Sequence, residues 1–364
     1  MTMHSTKIKI SSYSDCLPEL IRLEADEENY GDIPAAALIY EDEKSAWFQM
    51  GSETFVVHSD FIRSMLGDVI LVNKCRQDAE RIIRRNSQHN TFLVTERCDQ
   101  LCIMCSQPPK NYELDLFSEY SRAVLYSKYG ATIGISGGEP LLYKEEIFKL
   151  IKNTYDSRPD IQFHILTNAQ HISNDDLSEL SALPLSNVRF AVPIYSSDPR
   201  THDSIVGKPL ALNNALDGIA ALMAAGANVE IRTVILQQNI KHLREIASML
   251  VWNMPDIDHW AIMQLEYIGY AKLNWEEKFF DHSLNVKDLL AATDLARQHG
   301  VTALLYNMPL CTLPKSLREL APSTISDWKR KFFDLCNGCS AKSSCSGFFA
   351  WQPLDSTFKR LATI

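Results

Sequence analysis

The chain has 364 residues, 46% of them hydrophobic, and a formal charge of −9 from 45 acidic and 36 basic side chains. That length and apolar content supply a full core for one large barrel-type domain or two ordinary ones, which excludes a disordered chain. The acidic balance disfavours nucleic acid and anionic membrane surfaces, which bind basic faces, and the short basic run Arg81–Arg85 reads as a solvated helix face.

The start leads into alternating Ile8 and Ile10 without a continuous apolar stretch, and nowhere do eighteen apolar residues run together. A soluble, cytoplasmic protein without a membrane partner is expected. Through residue 88, alternation in Ala46–Met50 and Thr54–Val57, then the apolar run Val69–Val72, suggests a small β-rich or α+β module.

From Asn90 to about Tyr306 short apolar runs alternate with helical patterns. Strands are expected at Thr91–Val94, Thr132–Ile135, Ile161–Leu166, Val188–Ile194, Val229–Leu236 and Trp260–Leu265. Between them, Phe117, Tyr120 and Val124, then Ile147, Leu150 and Ile151, then Leu212, Leu216, Ile219 and Met223 recur at helical spacing. A further helix starts from an Asn285 cap and stops at Gly300. Repeated βα units imply a parallel sheet. The expected fold is therefore α/β: a partial (β/α)6 TIM-type barrel at 89–305, preceded by an accessory module at 1–88 and followed by a cysteine-rich extension at 306–364.

Seven of the nine cysteines fall in two groups, which in a reducing compartment indicates metal or cluster ligation rather than disulfides. Cys16 and Cys75 stand apart and read as ordinary buried thiols. In the first group, Cys98, Cys102 and Cys105 are spaced by four and three, so three thiolates can face one centre from a loop just beyond the first expected barrel strand. Parallel βα barrels place their chemistry at that end. A [4Fe–4S] cluster needs four ligands, so three cysteines leave one iron able to take a reactive ligand. A zinc site or a buried apolar trio is the alternative, and Ser106–Pro109 offers zinc no fourth ligand.

After the second expected strand comes Gly137-Gly138-Glu139-Pro140. Its glycines permit close backbone approach, and its carboxylate can accept from an ammonium group. With the cysteine spacing, this resembles the radical S-adenosylmethionine enzymes over about residues 90 to 270. The resemblance implies that the three cysteines hold a [4Fe–4S] cluster whose fourth iron is chelated by S-adenosylmethionine, with Glu139 meeting the methionyl amine. Reductive cleavage there yields a 5′-deoxyadenosyl radical, with the electron coming from a flavodoxin or ferredoxin type donor. Met104 occupies the position where the family often has an aromatic residue over the adenine, and a thioether can pack against a ring. Further cofactor contacts implied are Thr167 and Asn168, in a Leu-Thr-Asn-Ala run where the family commonly has Gly; Tyr195 and Ser196; Arg232; and Gln264. For each, a structural polar role at the barrel mouth is the alternative. His202 and Asp203 read as loop hydrogen-bonding residues.

Cys336, Cys339 and Cys345, with Cys311 as fourth ligand, resemble the auxiliary-cluster extensions of peptide-modifying radical enzymes. They imply one auxiliary [4Fe–4S] cluster, with zinc the alternative. The runs Asn90–Glu96, Met104–Pro109, Tyr306–Cys311 and Ile325–Lys329 are similar to the C-type maturases of the His-Xaa-Ser peptide system. That likeness implies a ribosomally made peptide substrate and a second radical maturase as partner. Two rival readings stand beside it: a radical enzyme acting on a small molecule or RNA, and a non-catalytic iron–sulfur or zinc protein.

Overall fold

The computed structural model describes residues 7–12, 17–26, 31–59, 62–111, 115–353, 358–361 and 364. Packing groups the chain into two compact units, one of residues 2–95 with 113–165 and the other of 96–112 with 166–364.

The first unit begins with β1 (Lys7–Ser12), β2 (Leu20–Glu24), β3 (Ala35–Glu41), β4 (Ser45–Met50), β5 (Glu53–His58), β6 (Val69–Asn73) and β7 (Asp78–Ile83). They close into a barrel of order β1-β5-β4-β3-β2-β6-β7, antiparallel except for the parallel β2/β3 pair. Alternate residues point inward, so Ile8, Ile10, Ile21, Leu23, Phe48, Phe55 and Val57 make one apolar core. Phe48 and Phe55 stack across β4 and β5 with centroids 5.8 Å apart.

Two expectations change here. Arg81–Arg85 is not a solvated helix face, because Asp78–Ile83 pairs with β1 and β6 and Arg81 forms an ion pair with the fully buried Asp68. Burial pushes the Asp68 carboxyl up to about 6, against the pull of Arg81. Cys75 is exposed rather than buried, since it sits on the turn between β6 and β7. Cys16 lies outside the described residues.

The same unit continues with β8 (His89–Thr95), α1 (Phe117–Ala123), β9 (Thr132–Gly137), α2 (Lys144–Ser157) and β10 (Gln162–Leu166). α2 buries Ile147, Phe148, Leu150, Ile151 and Thr154, one face of a 3.6-residue repeat. Within this unit α1 is tied to the barrel, with Arg122 donating to Asp32 at 2.8 Å.

The other unit carries α3 (Leu177–Ser181), β11 (Val188–Pro193), α4 (Pro199–Val206), α5 (Ala211–Ala224), β12 (Asn228–Ile235), α6 (Leu243–Asn253) and β13 (His259–Gln264). It continues with α7 (Gly269–Leu273), α8 (Trp275–Lys278), α9 (Lys287–Gln298) and β14 (Ala303–Tyr306). Asn285 accepts from the Lys287 amide at the start of α9. The parallel sheet has order β14-β13-β12-β11-β10-β9-β8, so sequence neighbours are spatial neighbours, as in a βα-repeat of partial-barrel type. β14 is a seventh parallel strand where six were expected. Beyond it, Arg330–Lys331 pairs with Phe348–Phe349 as a short ribbon.

Candidate active site

The loop carrying Cys98, Cys102 and Cys105 is held chiefly through its backbone. Leu101 and Ile103 donate to Val206 and Ile205 at the end of α4, at 2.9 and 3.0 Å. The Cys105 amide donates to Cys102 at 3.0 Å, which closes the turn between those two residues. At the start of α7, the Tyr270 amide donates to the Cys105 carbonyl at 2.9 Å. Gly269 makes that approach possible: its φ is +56°, and a Cβ there would stand 2.2 Å from the Cys105 oxygen. The base of the loop is closed by Lys110, whose amide donates to the Glu96 carbonyl and whose ammonium pairs with the Glu96 carboxylate.

The thiols share one electrostatic environment. Burial pushes Cys102 up to about 12, and the neighbouring Cys105 and Cys98 push it further in the same direction. Burial also raises Cys105. Such a trio ionises together only when a cationic centre offsets the repulsion, as cluster iron does.

Tyr195, just past β11, lies in the same field: burial raises its phenol, Cys102, Cys105 and Cys98 raise it further, and Arg232 opposes them. The Arg232 guanidinium lies 3.1 Å from the buried Glu230 carboxylate. Met104 is turned into an apolar cluster with Tyr195, Ile205, Leu265, Ala271 and Trp275.

Several other candidates have intramolecular partners. Ser196 is fully buried and accepts from the Asp198 amide at 3.0 Å. Thr167 accepts from the Ala169 amide at 3.0 Å. Ala169 takes a left-handed φ of +59° where the Leu-Thr-Asn-Ala run departs from glycine. Asn168 donates to Asp99 at 2.9 Å and accepts from the Gln170 amide. Gln264 is bound to His282 Nδ1 at 2.6 Å and donates to the Phe280 carbonyl. His202 accepts from the Tyr195 amide, while Asp203 accepts from the Leu210 and Leu212 amides.

In the first unit, Gly137 ends β9 with φ +154°, and a Cβ would meet the Thr95 carbonyl at 2.2 Å. The Gly138 amide donates to that carbonyl at 3.0 Å. Glu139 is 1% exposed and caps the short 3-10 turn Pro140–Tyr143 by accepting from the Leu141 amide at 2.8 Å. An ionised carboxylate has further acceptor capacity.

Cys311, Cys336, Cys339 and Cys345 line a single pocket, with Leu310, Phe332 and Phe348 among its apolar walls. The Leu310 and Gly347 amides donate to Cys345 Sγ at 3.3 and 3.4 Å, the kind of N–H···S contact that tunes cluster sulfurs. Burial raises Cys336, whereas backbone hydrogen bonds lower the half-buried Cys339. Four thiols around one cavity suit a second cluster. Among the described residues, no group of three or more His, Cys, Asp or Glu side chains is arranged to hold a single metal ion.

Sequence reasoning missed Asp99, His171, Lys208, Gly269 and His282. Of these only Asp99 carried a signal, its place between two ligands.

The family model of the radical SAM superfamily matches residues 92–250. Among curated proteins, GTP 3′,8-cyclase of Sulfurimonas denitrificans is 30% identical over 193 residues, 51% of this chain and 56% of that protein. GTP 3′,8-cyclase of Nautilia profundicola is 28% identical over 155 residues, 40% of this chain and 46% of that protein. The chain thus spans about half the length of the curated relatives it matches. Among solved structures, Streptococcus suis SuiB bound to S-adenosylmethionine aligns with 17% identity and a TM-score of 0.49, over 61% of this chain and 51% of that one. Among the described residues no helix is long and apolar enough to cross a membrane.

Proposed function

With residues 92–250 a radical SAM segment, we propose that this chain is a radical enzyme that removes hydrogen from a ribosomally made peptide of the His-Xaa-Ser type during its maturation. The observation that carries the radical chemistry is the placement of Cys102 against the buried cluster of Met104 and Tyr195, on a loop whose Cys102–Cys105 turn is closed by a backbone hydrogen bond. When bound there, a [4Fe–4S] cluster supplies the electron that splits S-adenosylmethionine.

The chain's own residues do the rest. The three thiolates hold the cluster from a loop whose backbone is already hydrogen-bonded to α4 and α7. Met104 and Tyr195, in their apolar cluster, keep water from the reacting carbon. Arg232 is assigned to the carboxylate of S-adenosylmethionine and the remaining acceptor capacity of Glu139 to its amine. Thr167, Asn168, Ser196 and Gln264 serve by shaping the strand ends that carry these groups.

The peptide assignment rests on the resemblance at both ends of the barrel and on the second cysteine group, assigned to an auxiliary [4Fe–4S] cluster that meets the peptide or takes up the leftover electron. A purine nucleoside triphosphate is the second reading, favoured by the activity named for the curated relatives. A flavodoxin or ferredoxin type donor and a second radical maturase are the proposed partners, and the cytoplasm the proposed setting.

The test is anaerobic reconstitution followed by dithionite and S-adenosylmethionine. Release of 5′-deoxyadenosine is expected, and Cys102→Ala abolishes it. A peptide with His-Xaa-Ser repeats should raise that release and change in mass, while GTP should do neither. Conversion of GTP with the peptide left unchanged would overturn the peptide reading. Wild-type protein should hold about eight irons and Cys339→Ala about four; about four irons with stoichiometric zinc in the wild type would replace the auxiliary cluster by a zinc site.

A further inference from the structure

Between the first two ligands of the loop, Asp99 gathers three donors on one carboxylate. Asn168 Nδ2 donates at 2.9 Å, His171 Nε2 lies at 3.2 Å, and the Lys208 ammonium pairs with the same carboxylate. Two of these come from the segment after β10 and one from the residues just past α4.

The donors are themselves fixed. Asn168 is oriented by accepting from the Gln170 amide at 3.0 Å, next to the left-handed Ala169. Lys208 follows directly on the α4 end whose Ile205 and Val206 carbonyls receive the loop's own amides. An isolated surface ion pair has neither feature, since both its side chains move. Here one carboxylate ties the ligand loop to two separate segments, and the attachment point lies one residue from Cys98 and three from Cys102.

We propose that Asp99 is a positioning residue, which sets the Cys98–Cys102 stretch of the loop for cluster binding through its clamp of Asn168, His171 and Lys208. This rests on the assignment of Cys98, Cys102 and Cys105 as cluster ligands. Groups that support a metal site without touching the metal typically contribute about 10–100-fold to its retention. The clamp also sets charge near the cluster: Lys208 offsets the Asp99 carboxylate, and net local charge is one determinant of cluster potential.

The test compares wild type, Asp99→Ala and Lys208→Met by iron content, rate of iron loss to a chelator, midpoint potential from electron paramagnetic resonance, and melting of the iron-free protein. Asp99→Ala should lose the iron of the first cluster about 10–100-fold faster than wild type, with the melting of the iron-free protein unchanged. Lys208→Met should keep most of its iron but shift the midpoint to more negative potential, because the carboxylate is left uncompensated. A merely structural ion pair would move neither retention nor potential. If Asp99→Ala keeps iron as long as wild type, or Lys208→Met leaves the potential where it was, the clamp is refuted. A distinct failure is a Cys98→Ala/Cys102→Ala/Cys105→Ala triple variant with the wild-type iron count, which removes the cluster assignment itself.

Discussion

Replacing Gly269 by alanine separates two costs that glycines usually combine. Its φ of +56° lies in the left-handed region, where a Cβ costs about 1–2 kcal/mol. Gly226, at φ +79°, meets that same cost with nothing within 4 Å of the added carbon, so Gly226→Ala measures the backbone term alone. At Gly269 the added carbon would stand 2.2 Å from the Cys105 oxygen, and ordinary contact begins at 3.4 Å; the difference, 3.4 − 2.2 = 1.2 Å, is the retreat required of that carbonyl. The Ser106 oxygen, 2.8 Å away, must shift as well. Because the Cys105 carbonyl accepts from the Tyr270 amide, the retreat breaks that bond and carries the third thiolate off by about 1 Å, enough to spoil a preorganised site. The assay is iron per chain, with thermal melting, for both variants. Both should melt lower, at about 2–4 °C per kcal/mol lost, but only Gly269→Ala should lose the roughly four irons of the first cluster. Full iron content in Gly269→Ala, or equal iron loss in Gly226→Ala, would refute the reasoning.

Two predictions concern buried charge. Burial holds His202 and His282 down to about 4 and pushes Asp68 and Glu266 up to about 6 and about 7. Each histidine contributes stability that is lost as pH falls from its unfolded value near 6.5, and each carboxyl contributes stability that is lost as pH rises from its unfolded value near 4. Two protons thus oppose two, and stability should be nearly flat from roughly pH 4.5 to 6. Removing one histidine tips the balance: His282→Gln should become less stable with rising pH there, by about 1.4 kcal/mol per pH unit. Denaturant unfolding at several pH values checks this, and a slope equal to that of wild type contradicts it. Arg81→Met should destabilise the chain by about 3–5 kcal/mol at pH 7.5, because it leaves the Asp68 carboxylate buried without its cation. A loss under about 1 kcal/mol in the same experiment would place this pair with ordinary surface ion pairs.

What the sequence disclosed and what it hid divide along the distance between interacting residues. The six expected strands match β8 to β13 within a few residues at each end, because alternating strand and helix periods are properties of neighbouring residues. β14 escaped notice because Ala303–Tyr306 is only four residues long, and a short apolar run after a helix has no period of its own. The run Arg81–Arg85 fits either a helix face or a strand edge, and its outcome was decided by pairing with β1 and β6, which no local pattern contains. Cysteine spacing is local in the same sense, so both groups stand out in the sequence. The devices that hold the first group are not: Asp99 meets Asn168, His171 and Lys208 at separations of 69, 72 and 109 residues. Gly269 likewise serves a carbonyl 164 positions earlier in the chain, 269 − 105. The cysteines assigned as ligands are thus written close together in sequence, whereas their placement is written in single residues scattered along the chain, each ordinary where it stands. Substitutions at Asp99 and Gly269 therefore probe what the cysteine motif leaves unstated, since they change where the thiolates stand without changing the thiolates.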